Sequence, residues 1–429
     1  MKRTASVFLN PRGIARRWFP IIGTLASAFF QSLEICAVET NKLPAVLSPY
    51  LQNPAADGMT VCFPAQGAEN VRVAWSIDGQ LAMSEVPATG VAIAGTPWTV
   101  WKIRLAKLQP GAAYQYQVRY HLPTGDASAP VHHFRTLNPQ AKTLRLAAFN
   151  DLHNHDGTLV ALMKYVKPDD YEFSLLMGDC WANPSAEKEA SGVFRTLDAF
   201  VGLLDAADKP MILVRGNHET RGDFSGPLAD LFDLPNLDAT QKPDDRQWQF
   251  TLRAGPVFFI AMDTGEDDGF ETATDSYKRP KFWQDYRQRE AAWLKNLAAA
   301  KPWGDTAWRI FVSHIPLFNN NWDFSEPARK YWEPLLPAAN IDLMIAGHDH
   351  GWKLLPKGNS YDIKRKKNGA EETRTITTPW PVLIGGGPAV NQATVMLLTA
   401  DEKTLRARLL AAADGRLLTE FVTDKAGTK

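Results

Sequence analysis

Three cysteines in 429 residues are too few for a disulfide framework. Cys36 lies in an N-terminal leader, and Cys62 and Cys180 fall in different segments, so no structural crosslink is expected. Excess charge of one sign is also missing: 47 Lys plus Arg meet 47 Asp plus Glu. That balance removes the positive field by which a protein grips nucleic-acid phosphates, and bulk nucleic-acid binding is excluded. The apolar stretch from Trp18 to Phe30 is interrupted by Pro20 and Gly23, and it is shorter than the roughly 20 residues that span a bilayer. What is present is 45% hydrophobic residues, 14 Trp and nine His. Disorder and fibrous repeats are thereby ruled out, and the placement of the histidines becomes the informative feature.

Lys2, Arg3, Arg12, Arg16 and Arg17 precede that apolar stretch, and no acidic residue appears before Glu34. Residues 1–37 therefore read as a signal peptide, with small-residue cleavage after Ala37 and Ala26-Ser27-Ala28 as a second candidate. Arg16-Arg17-Trp18-Phe19 resembles a twin-arginine export signal; an ordinary secretory signal fits the same charges. Either route predicts an exported protein, periplasmic or secreted, with no transmembrane anchor after cleavage.

Residues 38–140 are dominated by period-two alternation. Met59, Val61 and Phe63, then Val71, Val73 and Trp75, then Trp101, Ile103 and Leu105, and finally Tyr114, Tyr116 and Val118 alternate with other residues. The turn pairs Asp57-Gly58, Asp78-Gly79 and Gly125-Asp126 fall between these runs. Such spacing predicts a small β-sandwich with one face of each strand in a core and the other in water. His121, His132 and His133 lie on these strands without neighbouring carboxylates and read as surface or packing residues.

Residues 141–429 change pattern to apolar runs separated by helical stretches, the sign of buried strands in an α/β arrangement. Five runs end in polar residues. Leu144–Phe149 leads to Asn150-Asp151-Leu152-His153; Phe173–Met177 to Gly178-Asp179; Met211–Val214 to Arg215-Gly216-Asn217-His218-Glu219; Trp308–Val312 to Ser313-His314; and Ile341–Ala346 to Gly347-His348-Asp349-His350. Carboxyl ends of strands in such sheets face a common crevice. Six histidines lie beyond residue 143, and all but His155 sit in these strand-end segments. Two divalent cations roughly 3.5 to 4 Å apart need a bridging carboxylate, neutral imidazoles and open positions for water and substrate, which is the residue set found here. Glycines before Asp179, Asn217 and His348 are expected to let the chain turn sharply off each strand.

Asp-x-His, Gly-Asp, Gly-Asn-His-Glu, a strand ending in His, and Gly-His-x-His, in that order, resemble the calcineurin-like metallophosphoesterase superfamily. Leu108 to Tyr116 and Phe134-Arg135-Thr136 resemble the fibronectin-III-like domain that precedes the catalytic domain of its purple acid phosphatase branch. The resemblance implies an α+β fold, a four-layer α/β/β/α sandwich preceded by a small all-β sandwich. It implies that Asp151, His153 and His350 hold one metal, that Asn217, His314 and His348 hold the other, and that Asp179 bridges both. His218 would sit beside the phosphate, stabilising transition-state charge or protonating the leaving oxygen. The implied activity is hydrolysis of phosphate esters by attack of a metal-bound hydroxide, with monoesters favoured. A phosphodiesterase on the same scaffold and a non-catalytic phosphate-ligand binding protein are the alternatives. Glu219 is open between orienting His218 and capping the following helix.

The purple branch shows Gly-Asp-x-x-Tyr, its tyrosine binding ferric iron. Here the run is Gly178-Asp179-Cys180-Trp181-Ala182, so no Fe(III)-tyrosinate is expected and the two ions are Fe, Mn or Zn. Cys180 reads as a small buried residue behind Asp179. His155, Asn319 and Trp322 are candidate substrate contacts. The last two belong to the loop Leu317 to Glu326, which together with Glu266 to Arg287 forms either a substrate-selecting wall or a packed lid. Gly385-Gly386-Gly387-Pro388 lacks the Lys-Ser/Thr of a nucleotide loop and reads as a turn.

Overall fold

The computed structural model describes residues 43–425, apart from positions 81, 185, 239, 268–278, 320–321 and 368–369. The 1–37 leader, and with it the export and cleavage expectations, lies outside the described residues.

The alternating runs become nine strands: β1 (Tyr50–Gln52), β2 (Gly58–Ala65), β3 (Glu69–Ile77), β4 (Ser84–Pro87), β5 (Thr89–Ala92), β6 (Thr99–Ala106), β7 (Ala113–Leu122), β8 (Gly125–Ser128) and β9 (His132–Arg135). One antiparallel sheet has the order β1-β2-β6-β5; the other runs β4-β3-β7-β8, with β9 also on β7. Val61, Phe63, Val73, Ile103, Leu105, Tyr116 and Val118 pack together in the core of this sandwich.

The opposite face of β2 does not meet water, contrary to the alternation. Thr60 and Cys62 are buried. Cys62, Tyr50 and Val100 join the core of the following segment, where Trp98 stacks on Phe194 with ring centroids 4.6 Å apart. Backbone groups are shared as well: Leu51 N–H donates to the Ala206 carbonyl at 2.8 Å, and the Tyr116 hydroxyl to the Ala207 carbonyl at 2.6 Å. A period-two pattern marks one apolar face and is blind to small residues such as Thr60 and Cys62 that pack under a second layer.

Two six-stranded mixed sheets follow. The first is built on β10 (Thr143–Phe149), β11 (Phe173–Leu176) and β12 (Met211–Leu213), which are mutually parallel. The second contains β13 (Phe250–Ala254), β14 (Val257–Met262), β15 (Trp308–Ser313), β16 (Leu343–Ala346) and β17 (Lys353–Leu355). The strands β18 (Ser360–Lys367) and β19 (Ala370–Thr377) pair with each other as a hairpin, and β20 (Val382–Ile384) returns to the second sheet. The first sheet is completed by β21 (Thr394–Asp401), β22 (Thr404–Ala411) and β23 (Leu417–Asp424), giving the order β12-β11-β10-β21-β22-β23, and the second reads β13-β14-β15-β16-β20-β17.

Alternation within the second sheet reports the layering. Phe259, Ala261, Ile310, Val312, Leu343, Ile345 and Leu383 share a core with Leu146, Ala148, Leu175 and Leu398 of the first sheet, so the sheets lie face to face. Phe173 meets Phe259 edge-on across that seam at 6.2 Å. The intervening residues Ile260, Met262, Phe311, Met344 and Ile384 pack outward with Leu294 and Trp332. Of the helices, α1 (Asp156–Met163) and α2 (Ala186–Leu203) cover the first sheet through Leu159, Leu162 and Leu197, and α3 (Ser225–Leu228) is a single turn. The second sheet is covered by α4 (Pro280–Ala300), which carries Leu294, and α5 (Trp322–Trp332), which ends in Trp332. The result is the four-layer α/β/β/α sandwich, preceded by the all-β sandwich.

Candidate metal centre

The loops that leave the parallel strands keep pairing beyond the strand ends. Asp151 N–H donates to the Gly178 carbonyl at 3.0 Å, His153 N–H to Asp179 at 2.9 Å, and Gly347 N–H to His314 at 2.9 Å. These bonds hold the chain in a conformation that side chains rarely adopt: φ is +50° at Asp151, +47° at His153, +53° at Asp179, +73° at His348 and +53° at His350. Each such residue costs on the order of 1–3 kcal/mol and persists only where the surroundings enforce it, and such residues concentrate at functional sites. Gly178 turns with φ +84°, and a Cβ there would fall 2.6 Å from the His314 ring. Gly347 is needed for close approach instead, since its Cβ would lie 2.7 Å from Asp151 Oδ2.

Asp179 occupies the centre. Its Oδ2 lies 3.1 Å from His314 Nε2, 3.6 Å from His153 Nε2 and 3.8 Å from His218 Nε2. Asp151 Oδ1 lies 3.6 Å from His350 Nε2 and 3.8 Å from His153 Nε2, while those two imidazole nitrogens face each other at 3.1 Å. The structure thus brings together Asp151, His153 and His350 as one triad and Asp179, His314 and His348 as another, the donor atoms within 4.8 Å of one another in each. Asn217 stands beside the second, its Oδ1 3.1 Å from His348 Nδ1. His218 is as close in as the two triads, grouping with His153 and Asp179 at the same range.

A test of fit comes from the buried polar atoms. Asp151 Oδ1, Asp179 Oδ2, His314 Nε2 and His348 Nε2 are buried without a hydrogen-bond partner, and all belong to this pocket. Buried polar groups are ordinarily satisfied, so converging orphaned acceptors are what a cation completes. Carboxylates, imidazoles and an amide oxygen suit a divalent transition ion. The His314 Nδ1–H donates to the Met177 carbonyl at 2.8 Å, which directs Nε2 into the pocket.

Electrostatics agree. Burial pushes the Asp179 carboxyl up, but the imidazoles of His314, His218 and His153 outweigh it and hold it well below the usual range. Asp151 is held low in the same way, by His153, His314 and the Asn150 amide against burial. Burial lowers His314, yet the two carboxylates and the Met177 carbonyl raise it to about 10. A bound cation would therefore take the place of a proton at Nε2. Burial, with the Arg221 cation adding to it against the pull of Asp179, lowers His218 to about 4, a neutral imidazole near pH 7.

Asn319 and Glu219 are placed otherwise than the sequence suggests. His155 stands exposed at the N-terminal end of α1, outside the cluster. Asn319 is fully buried, its Nδ2 donating to Asp349 Oδ1 at 3.0 Å and its Oδ1 accepting from Ser325 at 2.7 Å, so its amide braces the loop that carries His348 and His350. The side chain of Trp322 lies outside the described residues. Glu219 neither orients His218 nor caps a helix. Its carboxylate accepts from the backbone N–H groups of Asp179, Cys180, Trp181 and Gly216, tying two strand ends together.

Other residues were passed over in the sequence. Asn150 donates to Asp151 Oδ2 at 2.6 Å. The Gly385–Gly387 run packs on Asn150 and Asp151 so closely that a Cβ on Gly385 would fall 2.0 Å from Asn150 Oδ1. Arg221, one turn after His218, reaches His218 Nε2 at 3.2 Å. Only the adjacency of Asn150 to Asp151 was a usable signal.

Residues 144–352 match the sequence profile of the calcineurin-like phosphoesterases. The chain carries a calcineurin-like phosphoesterase domain. Acid phosphatase type 7 of Mus musculus is 24% identical over 68% of this chain and 64% of its own length. Probable purple acid phosphatase 20 of Arabidopsis thaliana is 23% identical over 58% of this chain and 54% of its own length. The chain therefore spans between half and two thirds of these relatives. Among solved structures, purple acid phosphatase PPD1 from yellow lupin (Lupinus luteus) seeds superposes with a TM-score of 0.64 at 17% identity, covering 88% of this chain and 74% of that one. The structure of PhoD superposes with a TM-score of 0.60 at 12% identity, covering 91% and 92%. Both share the fold of this phosphoesterase domain and its N-terminal sandwich.

Proposed function

We propose that the protein is an exported di-metal phosphoesterase that hydrolyses phosphate esters, monoesters above diesters. The observation that carries this reading is the pair of triads meeting at one pocket, with the orphaned acceptors of Asp151, Asp179, His314 and His348 directed into it. Asp151, His153 and His350 would hold one divalent ion, Asn217, His314 and His348 the other, and Asp179 both. When bound, the ions supply Lewis-acid stabilisation of the phosphate and an activated water.

The chain's own groups do the rest. The Met177 carbonyl fixes the tautomer of His314, and the His348 N–H and the Asn150 amide, both bonded to Asp151 Oδ2, orient that carboxylate. His218 Nε2 stands 3.8 Å from Asp179 Oδ2, where the imidazole would meet the charge that grows on phosphate oxygen. The Phe324 ring stands edge-on to His348 at 4.7 Å and narrows solvent access on that side. Similarity to proteins named acid phosphatases supports the choice of monoesters as the substrate class, and the basic leader supports export to the periplasm or medium.

Elemental analysis of the purified protein, followed by turnover of a monoester and a diester, tests the reading. Asp179→Asn should fold normally yet lose metal and at least about a hundredfold in activity. Full activity after exhaustive chelation would sink it. Replacing Arg16 and Arg17 by Lys blocks export if the twin-arginine route is used, and continued export assigns the ordinary secretory path.

A further inference from the structure

We propose that Arg221 is a second donor to the substrate phosphate beside His218, aimed by Glu266, and that it is the residue selecting monoesters. This rests on the phosphoesterase reading of the same pocket.

The single 3-10 turn His218–Thr220 folds Arg221 back over His218, with the Arg221 N–H on the His218 carbonyl at 3.1 Å. The guanidinium is then gripped at Nε and Nη2. Nε donates to Glu266 Oε2 at 2.8 Å, and Nη2 donates to Glu266 Oε1 at 2.5 Å and to Asp267 Oδ1 at 2.7 Å. A bidentate grip on a planar fork fixes its direction. The remaining nitrogen, Nη1, lies 3.2 Å from His218 Nε2, the atom that is itself 3.8 Å from Asp179 Oδ2 at the centre of the pocket. Glu266 and Asp267 anchor the cation through Nε and Nη2, and Nη1 is the nitrogen that reaches His218.

Glu266 is fully buried. Burying charges is costly even when they are paired, and here the expense yields a cation with one orientation at the wall of an anion site. The Arg221 Nη1 faces an imidazole nitrogen, and a charged phosphate oxygen is a stronger acceptor than an imidazole. A monoester phosphate has three unesterified oxygens and a diester two. A donor placed beside His218 rewards the additional one.

The test uses the full-length, metal-loaded protein and its Arg221→Ala and Arg221→Lys variants, with p-nitrophenyl phosphate, bis(p-nitrophenyl) phosphate and inorganic phosphate as probes. Arg221→Ala should lower kcat/KM for the monoester by about 10- to 100-fold and raise the inhibition constant of phosphate by about tenfold or more, the range expected for one lost hydrogen bond to a charged group. Diester turnover should fall by a clearly smaller factor than monoester turnover. Arg221→Lys keeps the charge without the fork and should recover part of the monoester loss, which also covers the case in which the alanine variant folds poorly. Equal losses on both esters with an unchanged phosphate constant would reduce Arg221 to a brace and overturn the proposal alone. A wild-type protein that turns over neither ester overturns the phosphoesterase reading, and this one with it.

Discussion

Glu219 Oε2 accepts the backbone N–H of Asp179 from the neighbouring strand end at 2.9 Å, so the central carboxylate of the pocket is positioned through its main chain by a residue that never faces the pocket. Glu219→Ala leaves four buried N–H groups unsatisfied and should destabilise the fold by at least about 3 kcal/mol. Glu219→Gln keeps the volume but turns an amide NH2 toward those donors, and should be intermediate. Denaturant melts of the three proteins, with metal content measured alongside, give the comparison; a wild-type melt from Glu219→Ala would contradict the assignment.

Gly385→Ala probes the support of Asp151. The new Cβ must displace Asn150, which donates to Asp151 Oδ2. Overpacking of this kind costs about 1–3 kcal/mol, and loss of an outer support typically weakens metal affinity by about 10- to 100-fold. Calorimetric titration with Mn2+ or Zn2+ reads the second effect independently of turnover.

Acid stability should depend on Asp208, at the contact between the sandwich and the phosphoesterase domain. Partial burial pushes its carboxyl up, but His132 and the His133 backbone N–H outweigh this and hold it low. Because the native pKa lies below that of the unfolded chain, Asp208 adds stability above the ordinary aspartate range, about pH 4, and loses it as pH falls through the depressed value. Asp208→Asn should lower Tm near neutrality, with the difference from wild type vanishing in acid. A difference that is constant with pH would assign the effect to packing.

Both described thiols should be inert in the native protein. Cys62 is buried, which pushes its thiol up to about 12, and burial raises Cys180 as well, with Glu219 and Asp179 adding to it. Alkylating reagents should label neither until the protein is unfolded. Native labelling at Cys180, read by intact mass, would contradict this assignment.

The strand-end residues were legible because a polar cluster directly after an apolar run has few explanations in a buried sheet. Asp151, Asp179, Asn217, His314 and His348 all announce themselves that way. Asn319 misled for a related reason: a polar residue in a loop near a ligand looks like a substrate contact, and sequence carries no sign that its amide is consumed by Asp349 and Ser325. Glu219 and Gly385 act through partners 40 and more than 230 residues away, on backbone N–H groups and on Asn150, and no local pattern encodes such pairings. The folded layers were readable from periodicity. The second buried face of β2 was not, since Thr60 and Cys62 carry little of the apolar signal that periodicity measures.

That second face has a consequence for anyone who would cut the chain. Tyr50, Cys62, Trp98 and Val100 contribute to the same core as Phe194 and Leu231, and the main chain of Leu51 is bonded to Ala206. A fragment begun after the sandwich would present an uncovered apolar floor and an unanswered carbonyl where the intact protein has a continuous interior. The N-terminal sandwich is thus less a passenger in front of an enzyme than one wall of it, and its sequence is free to drift only on the side that water touches.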